Sequence, residues 1–494
     1  MTERAWIEGL RNVALISGGG PGEAVIFGHN IPIGTELIVF SGCDSLLIEG
    51  LEIRNSGDNI LKLGGCTNST IKNCYIHGAA GQGDCIKITR FNGSFSENIT
   101  VSGCILHSPG LNSGSAGAEF EECLDFMYTR NALVEDCWFF HLDSSSGNQL
   151  SYPKGDCEDI VYNRCLFGPQ STIAWDPAVG GGAAANETDY NVWRQCVKNS
   201  VFIECHGGAL GSFGTKDYYI YNNLFFDCAE RTRLSPSVLG IIHVKSDQNS
   251  ENNDGFHIFN NIFYNSVFVP SYVMARQAGN VSGVNHDNNA FYNAGRNYFP
   301  SAEFDPSDES AAVFESAYAN TSPAFPKPDT SVHNTWKKLD SLRGSIIASL
   351  VPDNGFSGIS AGADASSIPY PSVETDINGN VRDGNLWDIG PYGDHKNFIE
   401  NSYYKEPEIE ITAFPNPFNS FLRLNVKGIF GVLRQVRPEI RDLSGKLVAV
   451  LSQEKTEGGQ SSFNWDAGNY PSGVFYVDIK SSDFKISKKV VLIR

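Results

Sequence analysis

The sequence predicts an all-β protein, in which a right-handed parallel β-helix (a solenoid) is followed by a small antiparallel β-sandwich. Three observations predict this fold class. A short strand–kink–strand pattern recurs at variable spacing, all twelve cysteines lie between Cys43 and Cys228, and the last stretch changes to short alternating strands without cysteine. The 50 glycines and 22 prolines among 494 residues indicate a turn-rich chain rather than a helix bundle.

The repeat consists of a β-rich triplet, a polar kink and a second apolar stretch. One position of the aligned copies is occupied in turn by Leu51, Cys74, Cys104, Cys137, Cys165, Ser200, Asn223, Asn261 and Asn289. Unequal spacing between copies is typical of coils whose strands keep their length while their loops vary, and we expect about ten coils. Asparagine suits the kink because it tolerates the left-handed backbone conformation that a sharp bend requires.

The cysteines are predicted to stack in columns. Cys74, Cys104, Cys137 and Cys165 share the aligned position, and Cys43, Cys66 and Cys157 each precede an aligned residue by eight positions. Neighbouring strands lie about 4.8 Å apart, whereas a disulfide needs Cβ atoms about 3.8 Å apart. We therefore favour buried free thiols over stacked disulfides. No CxxC spacing supports a zinc site.

The repeats predict a solenoid over residues 1–298, with its last coils and a cap over residues 299–394. The segment from Asp376 to Arg382, followed by Asp388-Ile389-Gly390, resembles the closing segment of many secreted bacterial β-helix proteins. We interpret it as the cap that an open stack of strands requires. A polar linker over residues 395–408 follows.

Residues 409–494 are predicted to form a separate β-sandwich, because they contain short alternating strands such as Phe421–Val426 and Val474–Ile479. The run from Ala413 to Asn419 resembles the opening motif of type A sorting domains of the type IX secretion system. Asp442-Leu443-Ser444-Gly445-Lys446 resembles the central hairpin of that family, and Lys488–Leu492 resembles its terminal strand.

This resemblance implies an exported protein of the Bacteroidetes group. The domain would be read by an outer-membrane translocon and cleaved by a sortase-like protease, leaving the protein secreted or anchored at the outer surface after passage through the periplasm. Such a route needs a signal peptide, and none is visible after Met1. We therefore expect Met1 to be an internal or misassigned start, with a leader and early coils upstream.

Charge and hydropathy exclude several kinds of partner. The net charge of −19 argues against nucleic-acid binding, which needs a basic surface. No run of about 18 apolar residues predicts a transmembrane helix. We expect a monomer.

Strand alternation predicts which side chains of the central coils point outward. It places His243 and Lys245 outside together, and it also turns Lys87 and Asp125 outward. Inter-coil segments add charged and aromatic residues, namely Tyr152, Lys154, Asp156, Trp175, Asp176, Arg194, Arg231 and Arg233. Long loops on one side of a solenoid form a groove, and this mixture suits an extended acidic polysaccharide.

The predicted chemistry is β-elimination on a uronate polymer. Lys154, or the pair His243 and Lys245, would remove the α-proton, and Asp125, Asp156 and Asp176 would hold Ca²⁺. Substrate binding is assigned to Tyr152, Trp175, Arg194, Arg231 and Arg233. The segment from Tyr152 to Cys157 also resembles a Lys-containing strand of some polysaccharide lyases with the pectin-lyase fold. That resemblance implies a base at Lys154, but the Arg-His-Gly motif of one such family is absent.

Two alternatives stand beside the lyase. Gly83-Asp84-Cys85-Ile86 resembles the Gly-Asp-Asp-Cys strand of polygalacturonases but contains one aspartate, so we disfavour glycoside hydrolysis, which needs two acids. A non-catalytic, adhesin-like surface protein that binds glycans remains the second hypothesis. In that case the candidate lysines would be solvated strand ends, and the aspartates would be turn or capping residues.

Overall fold

The computed structural model divides the chain into two compact units, Met1–Lys396 and Asn397–Arg494, which are treated separately below. The residues that the structure describes are 4–80, 83–108, 122–141, 149–170, 176–182, 190–229, 240–245, 252–264, 272–292, 301–315, 334–352, 356–363, 375–382, 387–393, 410–427, 438–442, 446–451, 453–457, 460–480 and 485–493.

The first unit is a parallel β-helix whose coils contribute strands to three sheets, named A, B and C. Its N-terminal strands are β1 Ala5–Glu8, β2 Arg11–Ile16, β3 Ala24–Phe27, β4 Ile38–Ser41, β5 Asp44–Glu49, β6 Leu51–Arg54, β7 Leu61–Gly64, β8 Thr67–Lys72, β9 Tyr75–His77, β10 Ile86–Thr89, β11 Ser96–Ser102, β12 Ile105–Ser108, β13 Leu124–Met127, β14 Thr129–Glu135 and β15 Trp138–His141.

The later strands continue the same coils. They are β16 Ser151–Lys154, β17 Cys157–Asn163, β18 Leu166–Phe167, β19 Val192–Lys198, β20 Val201–Ile203, β21 Leu210–Ser212, β22 Thr215–Tyr221, β23 Leu224–Phe226, β24 Gly240–Val244, β25 Asn252–Phe259, β26 Ile262–Tyr264, β27 Tyr272–Arg276, β28 Asn280–Asp287, β29 Ala290–Tyr292 and β30 Val313–Glu315.

Each sheet joins every coil to the next in parallel. Sheet A runs β1-β4-β7-β10-β13-β16 and continues, through isolated bridges at residues 179 and 182, to β21-β24-β27. Sheet B has ten strands from β2 to β28, and sheet C has eleven from β3 to β30. The inward side chains of all three sheets form one continuous apolar core. The predicted parallel β-helix is confirmed.

The kink between sheets B and C has the predicted left-handed backbone. Asn73, Asn199, Asn222, Asn260 and Asn288 all have φ between 49° and 57°. Each is followed by the inward residue of the aligned column. Asparagine occupies the bend because its short polar side chain lowers the cost of this conformation.

The column inside this bend consists of thiols in the early coils and of amides in the late ones. Cys104, Cys137 and Cys165 donate through Sγ to backbone carbonyls of the preceding coil at 3.5–3.6 Å. All twelve cysteines are buried and unpaired, so the expected thiol ladder is confirmed. From Asn223 onward, amide side chains replace the thiols.

The asparagine column is continuously hydrogen-bonded. Asn261 Oδ1 accepts the backbone N–H of Asn223 at 3.1 Å and its Nδ2 at 3.0 Å. Asn261 Nδ2 donates in turn to Asn289 Oδ1 at 3.1 Å and to Ile220 O at 2.9 Å. Glu309 ends the column, since its two carboxylate oxygens accept the backbone N–H and the Nδ2 of Asn289.

The predicted cap lies elsewhere than expected. A 3₁₀ turn at Pro306–Asp308 and β30 belong to the segment that closes the last coil, where Phe304 stacks on His286 with ring centroids 3.9 Å apart. The Asp-Ile-Gly segment instead packs along the side of the solenoid, where Asn222 Nδ2 donates to Asp388 O and Gly390 O. It lies there because the asparagine bends present amides that need partners.

Helix α1, Trp336–Ser349, was not predicted and also lies along this side. Thr335 caps its N-terminus by accepting the backbone N–H of Lys338. Trp336 Nε1 donates to Gly103 O at 2.9 Å, and Arg343 Nη2 donates to Arg164 O at 2.7 Å. The helix therefore satisfies carbonyls at the bends of the early coils.

The second unit is the predicted antiparallel β-sandwich. Its strands are β31 Glu410–Phe414, β32 Phe421–Lys427, β33 Glu439–Asp442, β34 Leu447–Val450, β35 Gln453–Glu457, β36 Gln460–Asp466, β37 Gly473–Lys480 and β38 Lys485–Leu492. They form two sheets, β31-β32-β36-β35 and β34-β33-β37-β38, around a core that includes Trp465. Asn416 of the opening motif bonds the last strand, accepting from Val491 N at 2.9 Å. The predicted linker lies outside the described residues.

Replacing the central amide of the asparagine column should destabilise the solenoid. Asn261→Ala leaves the buried Asn223 donors without an acceptor, and we expect a loss of about 2–4 kcal/mol in the free energy of unfolding. Asn285→Ala, at an exposed position of sheet B, should change it by less than about 0.5 kcal/mol. Chemical denaturation followed by circular dichroism measures both, and equal losses would contradict a structural role for the column.

Candidate active site on sheet A

Sheet A gathers charged side chains on its outer face because its strands are stacked in register. Lys87 of β10 pairs with Lys62 of β7 on one side and with Asp125 of β13 on the other, and Asp125 pairs with Tyr152 of β16. Between them, inward residues such as Ile86 are buried in the core. Residues far apart in the sequence thus become neighbours about 4.8 Å apart.

Three buried carboxyl groups meet at this face, and we call them the carboxylate cluster: Asp84, Glu122 and Asp125. One oxygen of each lies within 4.8 Å of the others. Asp84 Oδ1 accepts the backbone N–H of Glu122 at 2.9 Å, which ties the two coils together. Asn59 Oδ1, one coil earlier, accepts the N–H of Asp84 at 3.0 Å.

Two lysines neutralise the cluster. Lys87 Nζ lies 3.1 Å from Asp84 Oδ2 and also contacts Asp125 Oδ2, so it sits between the two carboxylates. Lys154 Nζ lies 3.3 Å from Asp125 Oδ1 and 3.9 Å from Glu122 Oε2. The Lys154 ammonium is also 4.8 Å from the centre of the Tyr152 ring. The structure therefore brings together three of the predicted site residues, namely Asp125, Tyr152 and Lys154.

Burial and mutual repulsion make the acids weak. Burial, followed by the charge of Asp125, raises the pKa of Asp84 to about 6. Burial and the charge of Asp84 raise the pKa of Glu122 well above its usual value. A carboxyl group with a pKa of about 6, as at Asp84, can carry a proton close to neutral pH, as a general acid must.

Lys154 and Lys87 hold their protons more tightly than free lysines do, because the neighbouring carboxylates raise their pKa values. Burial alone would lower the pKa of Lys154, but the charges of Asp125 and Glu122 outweigh it and raise the pKa. The pKa of Lys87 is raised in the same way by Asp125 and Asp84 against the effect of burial. A general base needs a pKa near the working pH, so Lys154 can serve as a base only where the field of these carboxylates is reduced.

The cluster fits a hard cation. Glu122 Oε2 and Asp125 Oδ1 are buried and accept no hydrogen bond from the described part of the chain, although Lys154 lies nearby. Ca²⁺ binds carboxylate oxygens at about 2.3–2.6 Å, so ligands of one ion lie within about 5 Å of one another. The three carboxylates meet that requirement. Within the described ranges, they form the only such group of histidine, cysteine or acidic side chains.

The predicted calcium set of Asp125, Asp156 and Asp176 is therefore not assembled by the structure. Asp156 is a turn residue with φ of 63° between β16 and β17, with Arg130 Nη2 3.9 Å away. Asp176 instead accepts Lys245 Nζ at 2.8 Å. The turn conformation explains the aspartate at 156, and an ion pair explains the one at 176.

His243 and Lys245 form a second group with Asp176, but His243, which alternation predicted to point outward together with Lys245, is buried. Its side chain is 1% exposed, because β24 is covered on its outer face. Burial, and then the charge of Lys245, lower the pKa of His243 to about 4. Lys154 and Lys245 lie on the same edge of sheet A, three coils apart, which corresponds to roughly 14 Å. The two groups cannot act on one bond.

Two aromatic rings cover the strip between these groups. A Cβ atom at Gly180 would lie 2.5 Å from the Tyr152 ring, and one at Gly182 would lie 2.7 Å from Phe213. The glycines are thus required for the rings to lie against the backbone. Phe213 is 6.4 Å from Tyr152 and 6.3 Å from His243, between ring centroids.

The remaining predicted substrate-binding residues do not join this face. Arg194 lies on sheet B, where its guanidinium pairs with Asp159 at 2.8 and 2.9 Å and also contacts Glu158. This bidentate ion pair joins adjacent coils, so Arg194 stabilises the stacking of one coil on the next. Trp175, Arg231 and Arg233 lie outside the described residues.

Three members of the site were not proposed as site residues from the sequence: Asp84, Lys87 and Glu122. The signal was partly visible, since alternation turned Lys87 outward and Asp84 belongs to the Gly-Asp-Cys-Ile segment. Glu122 and Asp125 come from the next coil, with Glu122 on the segment that leads into β13 and Asp125 on β13 itself.

Comparison with known proteins identifies the C-terminal unit. Residues 412–493 match the family described as Secretion system C-terminal sorting domain. The C-terminal unit is a secretion-system sorting domain. Its presence implies a secreted or surface-exported protein. Among the described residues, no helix has the length and apolar character needed to cross a membrane. No curated protein matches the chain.

Solved structures are similar to this chain at low sequence identity. The Dettilon tailspike protein is 13% identical with a TM-score of 0.42, and the match covers 64% of this chain and 60% of the tailspike. The pectate lyase Pel9A is 12% identical with a TM-score of 0.37, covering 78% and 87%. PfbA, a surface adhesin of Streptococcus pneumoniae, is 13% identical with a TM-score of 0.35, covering 58% and 72%.

The raised pKa of Asp84 predicts a distinctive pH dependence. Its contribution to stability is complete below the unfolded value of about 3.8 and is lost as pH rises through about 6, so Asp84→Asn should gain stability relative to the wild type between pH 4 and pH 8. Asp44 provides a control of opposite sign, because hydrogen bonds from Asn68 and Thr67 lower its pKa. Asp44→Asn should lose stability relative to the wild type as pH rises toward about 4, and the difference should stay constant above that pH. Chemical denaturation at a series of pH values, in the presence of a chelator, tests both variants. If the difference in unfolding free energy between Asp84→Asn and the wild type does not change with pH, the raised pKa of Asp84 is contradicted.

Proposed function

We propose that this exported protein cleaves a uronate-containing polysaccharide by β-elimination on the outer face of sheet A, with Lys154 as the base. The observation that carries the proposal is the position of Lys154, whose ammonium lies 3.3 Å from Asp125 and adjoins the carboxylate cluster and the Tyr152 ring. Elimination needs a proton acceptor beside a group that neutralises the uronate carboxylate. Both functions are supported at this place.

Asp84, Glu122 and Asp125 are the residues that would hold Ca²⁺. A bound Ca²⁺ ion would neutralise the uronate carboxylate and make its α-proton more acidic. Tyr152 would offer its ring to a sugar face, because aromatic side chains combine apolar area with a polar tip.

The surroundings of Lys154 would allow it to act as the base once the neighbouring carboxylates are neutralised. The charges of Asp125 and Glu122 are what raise its pKa, while burial lowers it. When those charges are neutralised, the effect of burial remains and lowers the pKa of the amine, so that it loses its proton more readily. The neutral amine takes the α-proton, and the electron pair of the broken C–H bond forms the C=C bond. The glycosidic C–O bond breaks with its electron pair on the leaving oxygen, which takes a proton from water.

Hydrolysis is a second candidate, and a specific observation favours it. Asp84, with a pKa of about 6, has the property of a general acid, and Asp125 provides a second carboxylate within 4.8 Å. Retaining glycosidases place their two carboxyl groups about 5–5.5 Å apart. The two reactions give different products, so one assay separates them.

The assay follows unsaturated-uronide absorbance and reducing ends together, with pectate, alginate and glycosaminoglycans as substrates. We expect both signals to rise for the wild type and Lys154→Ala to lower kcat by about 10²–10⁴-fold, the usual contribution of a general base. Lys216→Ala, on sheet B beside Trp193, should keep wild-type activity. Reducing ends without absorbance would establish hydrolysis instead, and binding without either signal would establish a glycan-binding protein.

The position of Lys87 predicts how the cluster responds to calcium. Its ammonium lies between Asp84 and Asp125 and therefore competes with any cation for their oxygens. Lys87→Met should bind Ca²⁺ at least about tenfold more tightly than the wild type, and Asp125→Asn should bind it more weakly. Isothermal titration calorimetry measures this, with Lys72→Met, which is exposed beside Glu49, as the control. Equal affinity in Lys87→Met and wild type would contradict the competition.

A further inference from the structure

The outer face of sheet A contains a cleft beside the carboxylate cluster, toward the first coils. Its volume is about 430 Å³, within the range typical of ligand sites. Lys87 lines both the cleft and the cluster. The cleft also reaches Lys62 of β7, Val39 of β4 and Trp6 of β1, so it crosses four strands, or roughly 14 Å.

The lining of the cleft is cationic in a protein of net charge −19. Lys62 and Arg90 line it together with one carboxylate, Glu36. Lys87 also lines it, but its charge is paired with Asp84 and Asp125. Glu36 is itself paired with Lys62 at 3.1 Å and with Arg4 at 2.9 Å. An acidic protein that binds a polyanion needs such a local basic surface, and this cleft provides it.

Aromatic rings define the two walls of the cleft. The Arg90 guanidinium lies over the Tyr128 ring, 3.7 Å from its centroid, which orients a planar donor group at an exposed position. Tyr128 is placed there by a left-handed backbone, with φ of 53°, directly after β13. At the far end, Trp6 is 48% exposed, and the Arg4 guanidinium lies over its ring, 4.5 Å from the centroid.

From these contacts we infer that the cleft binds the uronate residues of the polysaccharide next to the bond that is cleaved. The polymer crosses the coils of sheet A from the carboxylate cluster toward Trp6, with its carboxylates bound by Arg90 and Lys62 and a sugar face on Trp6. Guanidinium and ammonium groups recognise carboxylates by charge-assisted hydrogen bonds. The inference rests on the proposed function for the position of the scissile bond, but binding in the cleft can be measured without cleavage.

The test measures binding in a Lys154→Ala background, where turnover is removed. Hexamers of galacturonate and of alginate are the acidic probes, and a neutral hexamer of xylose is the reference ligand. Arg90→Gln and Lys62→Gln should each weaken binding of an acidic hexamer about 10- to 100-fold, the usual loss for a hydrogen bond to a charged group. Calorimetry should show no change for the neutral hexamer.

Arg130→Gln is the matched control, because Arg130 also covers an aromatic ring, that of Phe95 at 4.1 Å, but does not line the cleft. It should bind the acidic hexamers as the parent does. In the active enzyme, Arg90→Gln should raise KM about tenfold or more with little change in kcat. Rescue by Arg90→Lys should be partial, since a lysine keeps the charge but loses the planar donor pair.

The outcomes separate this inference from the proposed function. If Arg90→Gln and Lys62→Gln bind as the parent does, or if the parent binds neither acidic hexamer, the cleft assignment is overturned, whatever the enzyme cleaves. If the affinity losses appear but no polymer is cleaved, the cleft assignment stands and the proposed lyase activity fails. Equal losses in Arg130→Gln would also overturn it, because they would show a nonspecific effect of charge.

Discussion

Parallel stacking of coils in register, about 4.8 Å apart, is the constraint on which the rest of the structure depends. It forces each position of a coil to meet the same position of the next. Inside the bend, this arrangement favours side chains that can form hydrogen bonds with an identical side chain in the next coil. Amides do so fully, since Asn261 both accepts from Asn223 and donates to Asn289. Thiols fill the same space as small apolar groups with weak donors.

The same stacking brings carboxyl groups of neighbouring coils close together on the outer face of sheet A. Asp84 and Glu122 occupy equivalent positions of neighbouring coils, and Asp125 lies three residues after Glu122. Burial, and then repulsion between neighbouring carboxylates, raise the pKa values of Asp84 and Glu122. The positive charges of Lys87 on β10 and Lys154 on β16, the two neighbours of β13, offset part of this repulsion. A fold does not need such a cluster for stability, so its presence favours a functional site.

The sequence was sufficient to predict what depends on local pattern. Alternation and the recurrent kink predicted the parallel β-helix, the thiol column and the outward direction of Lys87 and Asp125. It was insufficient where coils meet, because loops of unequal length hide which residues of sheet A share a register. Asp84 and Glu122 are 38 positions apart, and no local pattern aligns them. The burial of His243 was missed for another reason. Alternation predicts on which face of a strand a side chain lies, but it does not predict what covers that face.

Charge links the cluster to the cleft beside it. Each lysine of the cluster is committed to carboxylates, so neither provides an uncompensated positive field for a polyanion as long as Asp84 and Asp125 are ionised. A bound cation would displace Lys87 from between those acids, and the displaced ammonium would be within reach of the cleft that it already lines. Calcium binding and polyanion binding would then strengthen each other through one side chain. Linkage requires the effect to be reciprocal, so an acidic oligosaccharide should raise the affinity for calcium by the same factor.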